Sequence, residues 1–175
     1  MLSIRHATLQ DVPLLCDIER SAGQAFLSIP ALAWIADDEI QSQECHREFI
    51  RRRLAWVATD DQNRPIGFIN ASPQGDALYI EELSVRHERQ GQGIGRRLVE
   101  QVIAHARRHG FRGLTLTTFR QVPWNAPFYQ RLGFTIVPEA VLPAHLHTAL
   151  EQQAACGFER AARCGMLLTL AEIPQ

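Results

Sequence analysis

Glycines recur at every second position in the middle of the chain, at Gly91, Gly93 and Gly95, between a strand-forming run and an amphipathic stretch. The order Gln90-Gly91-Gln92-Gly93-Ile94-Gly95-Arg96-Arg97 predicts a tight turn with exposed N–H groups that opens a helix. Such a turn, with the positive end of a helix dipole behind it, receives phosphate oxygens. Arg89, Arg96 and Arg97 add positive charge nearby. Just upstream, Glu81 and Glu82 interrupt a strand otherwise made of Leu78, Tyr79, Ile80, Leu83 and Val85, so the two acids point to opposite faces. A carboxylate in an apolar strand is costly to bury unless paired or protonated, and burial raises its pKa toward the range of a general base. The alternative is that one of them pairs with an arginine of a neighbouring element. A Rossmann fingerprint needs G-x-G-x-x-G at the first β–α turn and a Walker loop needs Gly-Lys-Ser/Thr, and this chain has neither. A glycine turn doing backbone work alone is the competing reading.

The elements that must position these residues follow from hydrophobic period. Residues 3–8 alternate as a strand, and Thr8 or Asp11 caps a helix carrying Val12, Leu14, Leu15 and Ile18. Pro30 opens a second helical stretch. Its apolar set, Leu32, Trp34, Ile35, Ile40, Phe49 and Ile50, is interrupted by Asp37, Asp38 and Glu39 and closed by Arg51, Arg52 and Arg53. That acidic-early, basic-late layout suits helix dipoles. Residues 54–59, 66–71 and 77–85 read as an antiparallel meander with turns at 60–65 and 72–76. A helix follows with Ile94, Leu98, Val99, Val102, Ile103 and Ala106 on one face and a stop at Gly110. Residues 114–118 are β-rich, which completes a β–α–β crossover. A short helix over 126–132 has Asn125 as its cap, residues 134–137 and 165–170 are strands, and 143–156 is helical. The expected fold class is α/β, a mixed, mostly antiparallel twisted sheet with one parallel β–α–β crossover. With no repeat and no long linker, residues 1–175 are expected to form a single domain.

In this order the motif Gln90-x-x-Gly93-x-Gly95 after strand residues 81–85, the crossover, and then Phe128-Tyr129-Gln130-Arg131-Leu132-Gly133-Phe134 resemble the GNAT superfamily of acyl-CoA-dependent N-acyltransferases. The resemblance covers residues 54–137 and implies the acyl-CoA N-acyltransferase fold with acetyl-CoA as co-substrate. It implies that Gln90 opens the coenzyme turn and that the N–H groups of Gly91, Gln92, Gly93, Ile94, Gly95 and Arg96 hold the pyrophosphate. It also implies that the pantetheine arm pairs with Leu83, Ser84 and Val85 like an added strand. The N–H of Leu83 then receives the thioester oxygen as negative charge develops. Tyr129 falls where the family has its general acid, although an aromatic pair before a glycine stop is also ordinary packing. By likeness to polyamine-type members, Glu81 is the favoured base, with Glu82 next. The family's Asn-to-Tyr spacing is longer than that from Asn125 to Tyr129, which leaves Asn125 as a coenzyme ligand or a helix cap. Acceptor selection falls to parts outside the motifs: the N-terminal helices with Phe26, Trp34 and the acids at 37–39, and the tail after Pro138. The acids at 37–39 either attract a cationic amine or form a solvated face. Trp124 either lines a ligand pocket or pins a surface loop.

Composition bounds the rest. Lys+Arg number 18 against 19 Asp+Glu, a net charge of −1, without the basic excess of a nucleic-acid binder. Hydrophobic residues at 46% and charged residues at 21% are a globular balance, and no apolar run approaches the ~20 residues of a membrane span. The N-terminus lacks a signal-peptide layout, and Cys16, Cys45, Cys156 and Cys164 lack paired spacing, so a cytoplasmic protein with reduced thiols is expected. His105 with His109, and His145 with His147, lack a third ligand at metal spacing, so no metal is expected. No Ser or Cys has a nucleophile-elbow context. The expected reaction is therefore direct transfer of an acetyl group from acetyl-CoA to a primary amine of a small molecule or peptide. The expected partners are that amine and neither nucleic acid nor membrane, with a homodimer allowed. Two alternatives stand beside it. A non-catalytic acyl-CoA sensor would not need Tyr129 and Glu81, and a nicotinamide-nucleotide protein would space its glycines differently.

Overall fold

The computed structural model describes residues 1–171. Its strands are β1 (Ser3–His6), β2 (Ala55–Thr59), β3 (Pro65–Gln74), β4 (Ala77–Val85), β5 (Gly113–Phe119), β6 (Thr135–Ile136) and β7 (Arg163–Thr169). The α-helices are α1 (Val12–Ala22), α2 (Gln43–Arg51), α3 (Ile94–Arg108), α4 (Ala126–Arg131) and α5 (Ala144–Ala155). The strands form a seven-stranded sheet in the order β1-β2-β3-β4-β5-β7-β6. The pairs β1/β2, β2/β3, β5/β7 and β6/β7 are antiparallel. The β4/β5 pair is parallel, in the register Ala77↔Gly113 to Tyr79↔Thr115, with α3 as its crossover. Among the described residues no helix is long and apolar enough to cross a membrane.

The chain packs as two compact units, one made of Met1–Ser72 with Glu81–Val102, the other of Pro73–Ile80 with the chain from Ile103 onward. In the first unit, Ala7, Leu15, Ile18, Phe49, Ala55, Val57 and Phe68 form a buried cluster between α1, α2 and the strands. The two-residue period of β3 sends Phe68, Asn70 and Ser72 to this face and Gly67, Ile69 and Ala71 to the other. Gly67 lets α3 approach closely, since a Cβ there would lie 3.2 Å from the Ser84 carbonyl and 3.3 Å from both Ile94 and Leu98 side chains. In the second unit, β5 is paired with β4 and β7, and Leu78, Leu114, Leu116, Phe134, Leu146, Leu150 and Met166 are buried. α5 is fastened to β5 by His145 Nε2 with Thr115 Oγ1 at 2.8 Å and by Gln153 Nε2 donating to Thr117 Oγ1 at 2.9 Å.

The helical stretch expected from Pro30 onward is built differently. Two 3-10 helices, Gly23–Ser28 and Pro30–Asp37, precede α2, which begins at Gln43. Ile29, Leu32 and Ile35 recur every third residue, the period of a 3-10 turn. The α-helix starts where Ser42 Oγ can accept the Cys45 N–H at 3.1 Å. The dipole-matched charges belong to α2 itself, where Arg51 donates to Glu44 at 3.0 Å and Arg52 to Glu48 at 2.9 Å.

Candidate functional site

In the first unit, the end of β4 carries the acids. Glu81 and Glu82 do face opposite sides: Ser72 Oγ donates to Glu81 Oε1 at 2.7 Å and Ser84 Oγ to Glu82 Oε1 at 3.0 Å. Apolar burial of the pair is not found: Glu81 is exposed and Glu82 half-buried, although Ile80 before them is buried. Among the described residues no arginine lies within ion-pair distance of Glu81. Leu83 is half-buried, and Ser84 and Val85 are buried.

Beyond β4 the chain makes a 3-10 turn over His87–Arg89, and Gln90 Nε2 folds back to donate to the Val85 carbonyl at 3.0 Å. Gly91 and Gly93 have φ values of 75° and 80°, a left-handed backbone that glycine adopts without steric cost. A Cβ on either would meet nothing within 4 Å, so the demand for glycine is conformational and the space beside the turn is open. Arg97 N–H donates to the Gly93 carbonyl at 3.2 Å, the first bond of α3. The N–H groups of Ile94, Gly95 and Arg96 are therefore first-turn donors with no acceptor inside the helix. Buried Ile94 and Leu98 seat this helix end against Gly67. Of the arginines expected around the turn, Arg89 stays within it, donating to Gln92 Oε1 at 3.4 Å. Arg96 instead pairs with Glu100 at 2.9 Å, and Arg97 reaches the Leu2 carbonyl at 2.9 Å.

The C-terminal end of α1 closes on the same turn, where Ser21 Oγ accepts the His87 N–H at 3.0 Å. One helical step back, Glu19 Oε1 accepts the Gln41 N–H at 3.0 Å. The Gln41 side chain is held by buried Asn70 through bonds of 2.9 and 3.4 Å. Burial pushes the Glu19 carboxyl up to about 7, against the pull of the Gln41 N–H and the Arg20 charge. Burial also raises the Cys45 thiol, and Glu81 and Glu19 raise it further through space. Sequence reading passed over Glu19. The signal was its place on the apolar stripe of α1, where positions 15, 18, 19 and 22 share a face. Phe26 is half-buried in the first 3-10 helix, and Trp34 is 40% exposed in the second. Asp37 and Glu39 are exposed.

In the second unit, Asn125 precedes α4 without the side-chain cap expected of it. Its Oδ1 accepts the Phe119 N–H at 3.4 Å instead, closing the loop that contains half-buried Trp124. Tyr129 is buried at 9% exposure, edge-on to Phe128 and Phe134 with ring centroids 5.0 and 5.6 Å away. Tyr79 Oη on β4 and Thr117 Oγ1 on β5 are 3.1 Å apart. Arg163 lies over the rings of Phe119 and Phe158, at 4.5 and 5.0 Å from their centroids. Among the described residues no group of three or more His, Cys, Asp or Glu side chains is arranged to hold a metal ion.

Comparison with known proteins agrees with this layout. The model of the acetyltransferase (GNAT) family matches residues 23–134. The chain is 31% identical over 137 residues to the peptidyl-lysine N-acetyltransferase YjaB of Salmonella typhimurium, covering 78% of this chain and 85% of that protein. In fold it is similar to the PaiA N-acetyltransferase of Thermoplasma acidophilum, solved with coenzyme A, at a TM-score of 0.71 and 18% identity over 97% of this chain and 99% of that one. It is likewise similar to the ribosomal-protein-S18-alanine N-acetyltransferase of Escherichia coli, at a TM-score of 0.71 and 19% identity over 100% of this chain and 97% of that one. A glycine turn at the head of a crossover helix in a mixed sheet, and a family match over most of the chain, lead to one conclusion: this is a member of the GNAT family, an acyl-CoA-dependent N-acetyltransferase.

Proposed function

We propose that the enzyme moves an acetyl group directly from acetyl-CoA to the primary amine of a peptide, such as a lysine side chain, or of a small molecule, with Tyr129 as general acid. The observation that carries the coenzyme part is the turn at the head of α3. Gly91 and Gly93 hold it open in a left-handed backbone, and first-turn donors follow at Ile94, Gly95 and Arg96. Those groups suit a pyrophosphate in kind and number. The strand end at Leu83, Ser84 and Val85 would pair with the amides of the pantetheine arm, and the Leu83 N–H would meet the thioester oxygen. Coenzyme A in the PaiA structure supports this reading of the fold. The lysine acceptor is supported by the Salmonella relative, whose name assigns it peptidyl-lysine.

A lysine ammonium has an ordinary pKa of about 10.4, so it must lose a proton before its nitrogen can attack. The phenol of a tyrosine, ordinarily near pKa 10, is neutral at pH 7 and able to protonate a departing thiolate. Two measurements test the proposal. Acetyl-CoA should raise the melting temperature. Coenzyme A release should then be seen with at least one member of a panel of lysine peptides, polyamines and arylalkylamines. Stabilisation by NADH in place of acetyl-CoA, or silence across the panel, would overturn it.

A further inference from the structure

We infer, resting on the acetyl-transfer reading above, that Glu19 is the base that takes the proton from the acceptor ammonium, with Glu81 as the neighbouring carboxylate that draws the cation in. Glu19 and Glu81 are tied to a common frame, α1 to the start of the glycine turn and both carboxylates to groups that lead to β3. Ser21, on the next part of the same helix, is bonded to His87 at the start of the glycine turn. Gln41, which donates its N–H to the Glu19 carboxylate, is fastened to Asn70 on β3, on the face that also carries Ser72. Ser72 in turn donates to Glu81. Cys45, from α2, feels the charge of both carboxylates.

The electrostatics of this group point to a cation from outside. Among the described residues neither Glu19 nor Glu81 has an ion-pair partner within 4 Å, and Arg20 acts on Glu19 through space alone. The thiols of Cys16 and Cys45 are held in their neutral form by burial and the neighbouring carboxylates, so they neither offset nor add to the negative charge. Glu81 is exposed and able to meet an ammonium from solvent. Glu19 lies deeper, and burial shifts its titration to about 7, where the carboxylate both accepts a proton and returns it to solvent at neutral pH.

The step balances as follows. One N–H bond of the ammonium breaks, its proton passing to a Glu19 oxygen and its electron pair remaining on nitrogen. That pair forms the N–C bond to the thioester carbonyl carbon. The C–S bond breaks toward sulfur, the thiolate takes a proton from the acid, and the nitrogen's surplus proton leaves to solvent. No oxidant, reductant or metal is required.

The test compares wild type with Glu19→Gln, Glu19→Ala and an exposed control on α2, Glu44→Gln, using the panel amine that wild type acetylates best. Glu19→Gln keeps an oxygen for the Gln41 N–H and is the variant that disturbs the fold least. The expected result is a kcat lower by on the order of 10²-fold or more with the acetyl-CoA KM nearly unchanged, as for loss of one acid–base group. The rising limb of kcat near pH 7 disappears in Glu19→Gln and is kept in the control. Added formate restores part of the Glu19→Ala activity, which a merely structural glutamate would not allow. Wild-type kcat and an intact limb in Glu19→Gln, with wild type active, overturn the assignment alone. A wild-type enzyme that acetylates no amine overturns it together with the reading on which it rests.

Discussion

At the scale of single residues, Tyr129 separates chemistry from packing because phenylalanine can keep its ring contacts. Tyr129→Phe retains the edge-on stacking with Phe128 and Phe134, so the variant should stay folded while kcat falls by on the order of 10²-fold. Denaturation and steady-state rates on one preparation check both halves. Gly93→Ala should cost about 1 kcal/mol because alanine disfavours a positive φ, and should weaken the acetyl-CoA-induced thermal shift without any clash, since the space around it is empty. Why one of these sites was legible and another was not is a matter of range. Left-handed backbone at Gly91 and Gly93 is a local demand that alternating glycines announce directly. The titration of Glu19 depends on its burial and on the N–H of Gln41, which chain folding brings to it from far along the sequence. The exposure of Glu81, between buried Ile80 and buried Ser84 and Val85 on the same strand, is not marked by the residue pattern.

At the scale of elements, alternation and capping carried most of the reading. The bounds of β4 match the expected 77–85, and α3 follows the apolar positions from Ile94 to Ala106. The miss at residues 30–50 has a physical cause: apolar residues three apart and four apart coexist there, and only the cap at Ser42 marks where the α-helix begins. Ser42→Ala removes the acceptor of the Cys45 N–H and should cost about 1 kcal/mol, a fall of about 2–4 °C in melting temperature for a chain of this size. Gly67→Ala probes the packing of β3 against α3. Its Cβ would press on the Ser84 carbonyl, which as backbone cannot step aside, so destabilisation of about 1–3 kcal/mol is expected, with the glycine turn displaced along with Ile94.

For the whole molecule, stability against pH should show two opposing limbs. His46 is 1% exposed, neither ring nitrogen has a partner, and burial pulls its pKa down to about 4. Between its unfolded value of 6.5 and 4 the unfolded chain binds the extra proton, so stability falls as pH falls through that window. Glu19 acts in the reverse sense: with a folded pKa near 7 above its ordinary 4.5, it takes stability away as pH rises between those values. Each effect is worth about 3 kcal/mol at full extent, so they largely cancel near pH 5–6. Glu19→Gln should therefore melt higher than wild type at pH 8 and alike at pH 4, and His46→Leu should lose the acid limb; melting curves from pH 4 to 8 read both. The chain contains no lysine, its 18 basic side chains all being arginine. Amine-reactive dyes in such assays therefore report the acceptor without background from enzyme side chains. The bond from Gln41 N–H to Glu19 has one more consequence. It pins the two ends of residues 20–40 together, so this stretch is a closed loop whose ends stay fixed when its contents change. Lengthening such a loop adds little closure entropy, about 0.6 kcal/mol per doubling. The stretch carrying Phe26 and Trp34 can thus be exchanged as a cassette while Glu19 and Gln41 stay in place.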